Sequence, residues 1–510
     1  MKIFNLYKSI GVLALAITLL TSCSKDQYWI DNPSNDQTQT SQFPALTSGS
    51  ADFSYYVALG ASFSAGVSNG SLFIKSQEYS FPNLLATAFS NAGGGFFEQP
   101  YVNDNIGGLL YGGTQIVAPR LYFTGTGIAP LDATPTTEVT TILTGPFNNM
   151  GVGGAKSFHF VAPGYGNLAG VPLGQANPYF ARMASSPNAT VLEDAVSQNP
   201  TFFTISVMGG NDVLAYATSG GVGTDQTGNL DPSTYGSNDI TDPNVFASVE
   251  SGIVAALTAN GAKGVLSNVP YVTDLPYFTT VPFNAVPLDA ATAALLNGAF
   301  AEYNGGLLLV ESLGLITAEE RASRTILFSE GQNAVTIVDE DLTDLSALGL
   351  PNYRQATSND LVVLPARSII GTLVDNNPQL INGVSVPLAD NWVLTDIETQ
   401  NVITATDAYA AVVEGLAVQH DLAFVDLRTI LADAASPTGI MFDDFNMSTQ
   451  LIFGGLVSLD GVHLTARGYA FMANSFMKAI DTKYLSNFEA SGSMLKANDF
   501  VVMYPENLPN

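Results

Sequence analysis

Among 510 residues the chain has 1 cysteine, 2 tryptophans and 3 histidines. A lone cysteine, Cys23, excludes an intramolecular disulfide framework and any cysteine-rich metal site. Charge is scarce at 12% of residues, and basic charge scarcer still: 17 Lys and Arg stand against 45 Asp and Glu, a net charge of −28. A surface this acidic repels nucleic acid and anionic lipid, so neither is expected as a partner. No later segment approaches the roughly 20 apolar residues of a membrane-spanning helix. What is abundant is apolar surface. At 46% hydrophobic residues the chain can build a large core.

The N-terminus reads as a targeting segment rather than as structure. Lys2 and Lys8 form a short positive region, Ile10 to Leu20 an apolar stretch too short to span a bilayer, and Leu20-Thr21-Ser22 places small residues ahead of Cys23. This resembles a bacterial lipoprotein signal, with residues 1–22 removed and Cys23 acylated as the new N-terminus. Residues 23–50, rich in Ser, Thr, Gln, Asn, Asp and Pro, read as a flexible tether. A coil of that length reaches roughly 30 Å at about 5–6 Å × √n. The expectation is an exported protein held by lipid in a bacterial cell envelope, at an outer membrane.

Past the tether, continuous apolar runs at Tyr55 to Leu59, Phe202 to Val207, Gly264 to Val269 and Leu422 to Leu427 have the pattern of buried parallel strands. Helical spacing follows at Asn244 to Leu257, Ala290 to Leu313, Asp407 to His420 and Thr465 to Ile480, with Thr465 a suitable N-cap. Alternating strands and helices predict an α/β fold with a parallel sheet. The catalytic body is expected over 51–490 with a C-terminal tail at 491–510. Ser62 to Gly154 spans 92 residues and Asn211 to Asp460 spans 249, more than a compact fold of this kind needs, so insertions rich in Gly, Pro, Thr and Asn are inferred at about 67–147, 215–242 and 315–400.

Four fragments carry chemistry. Gly60-Ala61-Ser62-Phe63 sets a serine in a tight turn after the first strand. Its hydroxyl needs a base to become a nucleophile. Of the histidines, only His463 has a carboxylate three residues earlier, Asp460, where it can reach the imidazole nitrogen facing away from the serine and fix the tautomer. His159 has Lys156 at that offset and His420 has Ala417, so both are assigned structural roles. An acyl-transfer oxyanion also needs donors. Gly154, in Asn149-Met150-Gly151-Val152-Gly153-Gly154, offers an unobstructed N–H; Asn211, in Gly209-Gly210-Asn211-Asp212, offers a carboxamide; the Ser62 N–H is the third. The first, second and last fragments are expected at or beyond strand ends, where open α/β sheets place their sites.

In this order the fragments resemble the blocks of the SGNH (GDSL-type) hydrolase superfamily, with Gly468-Tyr469 following the last one. The resemblance implies a three-layer α/β/α flavodoxin-like fold and cofactor-free, metal-independent hydrolysis of carboxylic esters. It makes Ser62 the nucleophile, Gly154 and Asn211 oxyanion donors, His463 the base and Asp460 its partner. Ala61 stands where the family usually has Asp, and Phe63 where it usually has Leu. Lipids, short acyl esters and acetylated glycans all fall within the implied substrates. The alternative is a catalytically silent surface lipoprotein that binds glycan or protein on the same fold; within the enzymes, acyl transfer to an acceptor other than water is a further variant. The acidic stretch containing Asp225, Asn229, Asp231, Asn238, Asp239 and Asp242 lacks the spacing of a calcium loop and is assigned to turn chemistry.

Overall fold

Residues 43–509 are described in this computed structural model, so the signal segment and Cys23 lie outside the described residues. The central sheet has five strands: β1 (Tyr56–Gly60), β2 (Asn149–Gly151), β3 (Phe202–Ser206), β4 (Lys263–Ser267) and β5 (Ala423–Val425). They lie in the order β5-β4-β3-β1-β2, and every pairing is parallel. Every residue of β1 and β3 is buried. Since successive side chains point to opposite faces, burial of all of them requires cover on both sides. This is why the runs read as continuous rather than alternating.

Helices supply that cover. α1 is the single turn Ser62–Ala65 and α2 is Phe81–Ser90; α3 (Gly210–Thr218), α4 (Pro243–Thr258), α5 (Asp396–Gln419) and α6 (Ala466–Tyr484) follow. α2 packs on α6, and α6 lies against β4 and β5; α4 packs on α5, and α5 also lies against β4 and β5. On the α2 side, Phe53, Phe89 and Phe202 form an aromatic cluster, with Phe53 and Phe89 stacked at 4.0 Å. The architecture is α/β with a central parallel sheet flanked by helices, as the strand pattern predicts.

Three details differ from the sequence reading. The Leu422 to Leu427 run is strand only to Val425; Asp426 then caps a helix by accepting from Thr429 N at 3.1 Å. The Ala290 to Leu313 segment is two helices, Ala290–Ala299 and Ala301–Ser312, separated at Phe300. α5 starts eleven residues before the expected Asp407, at Asp396, because Thr395 and Glu398 form a capping box.

The long connections carry their own small antiparallel hairpins rather than widening the sheet. Leu109–Tyr111 pairs with Thr114–Val117 between β1 and β2, and Thr336–Val338 with Tyr353–Gln355 between β4 and β5. The latter region is knitted by buried Arg354, which binds Asp360 through two bonds at 2.6 and 2.7 Å and also pairs with Asp339. At the C-terminal end, Ala497, Phe500 and Tyr504 are buried in the core, and Arg120 donates to the carbonyls of Pro505 and Glu506. No helix among the described residues is long and apolar enough to cross a membrane.

Candidate active site

The serine turn is set by Gly60. Its φ of +145° suits glycine, and a Cβ there would lie 2.3 Å from Ser64 Oγ and 2.7 Å from the Ser206 carbonyl. The chain therefore turns sharply off β1 into α1, with Ser62 as the first helical residue. There its N–H has no acceptor within the helix. Ser64, two residues on, is excluded as the reactive serine: it is buried, donates to Leu59 O at 3.0 Å and bonds Ser206 Oγ at 2.8 Å. Asn149 holds the turn from the neighbouring strand. Its Nδ2 donates to Ser64 O and Gln99 Oε1, both at 2.9 Å, while its Oδ1 accepts from Gly151 N.

Asp460 and His463 do not follow a sheet strand, contrary to expectation for the last fragment; they lie in the loop before α6. The loop is fixed by hydrogen bonds rather than by the sheet. Asp460 Oδ1 accepts from the N–H groups of Val462 and His463, each at 2.9 Å, and from Ser458 Oγ at 3.1 Å. Its Oδ2 accepts from Gly70 N at 2.6 Å and from His463 Nδ1 at 2.8 Å. Burial pushes this carboxyl up, but the imidazole charge, its hydrogen bond and the two amides outweigh that and hold it well below the usual carboxylate range. An ionised carboxylate only accepts, so Nδ1 carries a hydrogen and Nε2 keeps its lone pair in the neutral ring. The His463 ring lies 5.8 Å from that of Phe63, the residue after Ser62.

The loop carrying Gly154 and the start of α3 are tied together through Ala155. Asn211 opens α3 and donates through Nδ2 to Ala155 O at 2.9 Å, which anchors the carboxamide beside exposed Gly154 and leaves the second Nδ2 hydrogen free of that bond. Asn177 Nδ2 holds the same loop by donating to Gly153 O at 2.8 Å. Asp212 clamps it from the other side, accepting from Ser157 N at 2.9 Å and Ser157 Oγ at 2.7 Å. Ser62, Phe63, Gly210, Asn211 and Val462 line one cleft. A second, apolar cavity shares Phe63, Val207, Pro270 and Leu275 with it and continues to Leu427, Leu431 and Phe471.

Asn69, Gly70, Asn177 and Ser458 escaped the sequence reading. Asn69 donates its N–H to Ser458 Oγ and accepts from Leu459 N, and Gly70 donates to Asp460 from 390 residues away; Asn177 bonds Gly153 O from the next connection, and no local spacing marks any of them. The other two histidines sit in structural settings. His159 Nδ1 accepts from Lys156 N, and its ring stacks on Tyr165 at 4.3 Å; His420 Nδ1 bonds Thr258 Oγ1. In the 225–242 stretch the carboxylates serve turns: Asp239 accepts from Thr224 N and Gly236 N, and Asp242 from Gly228 N and Asn244 N.

Behind the site, Glu250 is fully buried on α4, with neither carboxylate oxygen hydrogen-bonded. Burial, with a smaller push from Asp212, raises it to about 8. A folded-state pKa above the unfolded value of about 4.3 means the native state binds the extra proton between those values, so stability falls as pH rises through that window. Glu250→Gln is expected to raise Tm at pH 8 by an amount corresponding to roughly 2–4 kcal/mol and to have little effect at pH 4. Thermal denaturation of both proteins across pH 4–8 checks this.

No protein-family model matches the chain, and no curated protein matches its sequence. Two solved structures share a low overall similarity. One is a variant of an acetyl-xylooligosaccharide esterase from Geobacillus Stearmophilus, with 10% identity, TM-score 0.30, and coverage of 85% of this chain and 96% of that one. The other is an extracellular lipase from Streptomyces rimosus, with 12% identity, TM-score 0.29, and coverage of 84% and 98%. At those scores neither neighbour bears on what this chain does.

Proposed function

We propose that this chain is a serine esterase, anchored to a bacterial envelope through lipid on Cys23 and working through Ser62, His463 and Asp460. The observation that carries the reading is the 2.8 Å contact between His463 Nδ1 and an ionised Asp460. It leaves Nε2 as the available base, on the residue after Val462, which lines the cleft with Ser62 and Asn211, and with its ring 5.8 Å from that of Phe63 in the same cleft.

The reaction runs in two halves. Nε2 of His463 takes the Ser62 proton as Oγ attacks the ester carbonyl, and Asp460 stabilises the resulting imidazolium. The tetrahedral oxyanion accepts from the N–H groups of Ser62 and Gly154 and from Asn211 Nδ2. The imidazolium returns its proton to the leaving alcohol oxygen, giving an acyl-serine. Water, deprotonated by the same nitrogen, attacks that acyl group, and Ser62 leaves with the proton restored.

The apolar cavity running from Phe63 to Phe471 suits an acyl chain longer than acetyl. Burying each added methylene contributes up to ~0.8 kcal/mol, about fourfold in kcat/KM. A series of p-nitrophenyl esters tests this. Activity rising from acetate to hexanoate is expected; a series in which no member is hydrolysed overturns the esterase reading, and a preference for acetate overturns the chain pocket. Asn211→Ala is expected to lower kcat by ~10²–10³-fold with KM little changed, since its donor matters most once the oxyanion forms.

A further inference from the structure

Far from Ser62 in sequence, three carboxylates converge with no cation to balance them. Glu340 follows the hairpin strand Thr336–Val338, Asp390 precedes the Val393–Leu394 strand, and Glu398 lies in the first turn of α5. One carboxylate oxygen from each lies within 4.8 Å of the others. Among the described residues, no Lys or Arg pairs with any of the three. The nearby Arg354 is already held by Asp339 and Asp360.

The Glu398 side chain is the decisive member. It is 3% exposed, and its Oε2 is satisfied by Thr395 N at 2.7 Å and Thr395 Oγ1 at 2.9 Å. Its Oε1 is buried with no hydrogen-bond partner, and so is Asp390 Oδ1. Gly221, at φ +87°, makes the room: a Cβ there would fall 1.7 Å from Glu398 Oε1. Two buried, unpartnered carboxylate oxygens of like charge are costly unless a proton or a cation lies with them.

We propose that Glu340, Asp390 and Glu398 bind a divalent cation, calcium in preference to magnesium. Two oxygens on one calcium, each at about 2.3–2.6 Å, sit up to ~5 Å apart, which accommodates the observed spacing. The donor set is oxygen alone, without the nitrogen or sulfur ligands that zinc and copper favour. Exposed Glu340 leaves the outer side of the site to water, which calcium's flexible coordination tolerates. The ion would join the loop after the Thr336–Val338 strand and the turn at Asp390 to the N-terminus of α5. The inference does not depend on the esterase reading.

The test uses the full chain, stripped with EDTA and dialysed at pH 7.5, in thermal denaturation and isothermal titration calorimetry with CaCl₂ and MgCl₂. Calcium at a hundredfold excess over Kd is expected to raise Tm by about 3 °C, with one site by calorimetry and weaker binding of magnesium. Glu340→Gln, on the exposed side of the site, is expected to keep the fold and weaken calcium at least ~10-fold. Glu398→Gln is expected to abolish the calcium shift. The proposal is overturned by absence of calcium binding in the calorimeter, or by binding that both variants retain unchanged. Stabilisation of the stripped protein by acid alone, with no response to calcium, identifies a proton shared among the carboxylates and likewise overturns it.

Discussion

Ser62→Ala is expected to lower kcat/KM toward p-nitrophenyl esters by ~10⁴–10⁶-fold while leaving Tm within about 2 °C of the parent. The loss is large because the covalent route disappears, and what survives is whatever the oxyanion donors and binding provide on their own. The small stability effect follows from the contacts. Ser64, not Ser62, carries the structural hydrogen bonds of this turn, to Leu59 O and Ser206 Oγ. Ser64→Ala is accordingly expected to do the reverse, costing about 1–3 kcal/mol of stability with a much smaller loss of activity. A binding protein built on the same framework predicts no activity for Ser62→Ala to remove, so the pair of variants separates the two readings.

Asp460→Asn carries the second large effect. The carboxylate accepts five hydrogen bonds, from Gly70 N, Ser458 Oγ, Val462 N, His463 N and His463 Nδ1. An amide of the same shape keeps most of the packing but can turn its NH₂ toward the imidazole, favouring the wrong tautomer. A fall in kcat of about 10⁴-fold is expected, with a smaller change in KM. Because Asp460 is held below its unfolded pKa of about 3.9, its stabilising contribution is complete above that value. It is lost as pH falls through the lower, folded value, so the Asn variant is expected to flatten the acid limb of the stability profile. A Tm–pH series for the two proteins from pH 2.5 to 7 reads this directly.

What could be read from the chain were features written locally. Buried parallel strands show as apolar runs, and β1, β3 and β4 fall within one or two residues of their expected bounds. The candidates Ser62, Gly154, Asn211, Asp460 and His463 could be named for the same reason, since each sits in a short fragment with its own signature. The Leu422 to Leu427 run misleads at its end because Leu427 is apolar in either state, and it is the Asp426 cap that decides for helix. The early start of α5 was also written locally, as Thr395-x-x-Glu398, but the apolar periodicity that drew attention begins later. By contrast, Gly70 reaches Asp460 and Asn69 braces the neighbouring Ser458 and Leu459 from some 390 residues away, and the carboxylate cluster joins residues 340, 390 and 398; only the folded chain brings these together.

The most direct measurement is reaction of the folded protein with a fluorophosphonate, followed by peptide mapping. A serine activated by His463 becomes phosphonylated, whereas an ordinary serine hydroxyl does not react at useful rates. The account predicts one adduct per chain on the peptide containing Ser62, lost in Ser62→Ala and strongly slowed in His463→Ala. A folded protein that takes up no label, or one labelled at a serine other than Ser62, would contradict it.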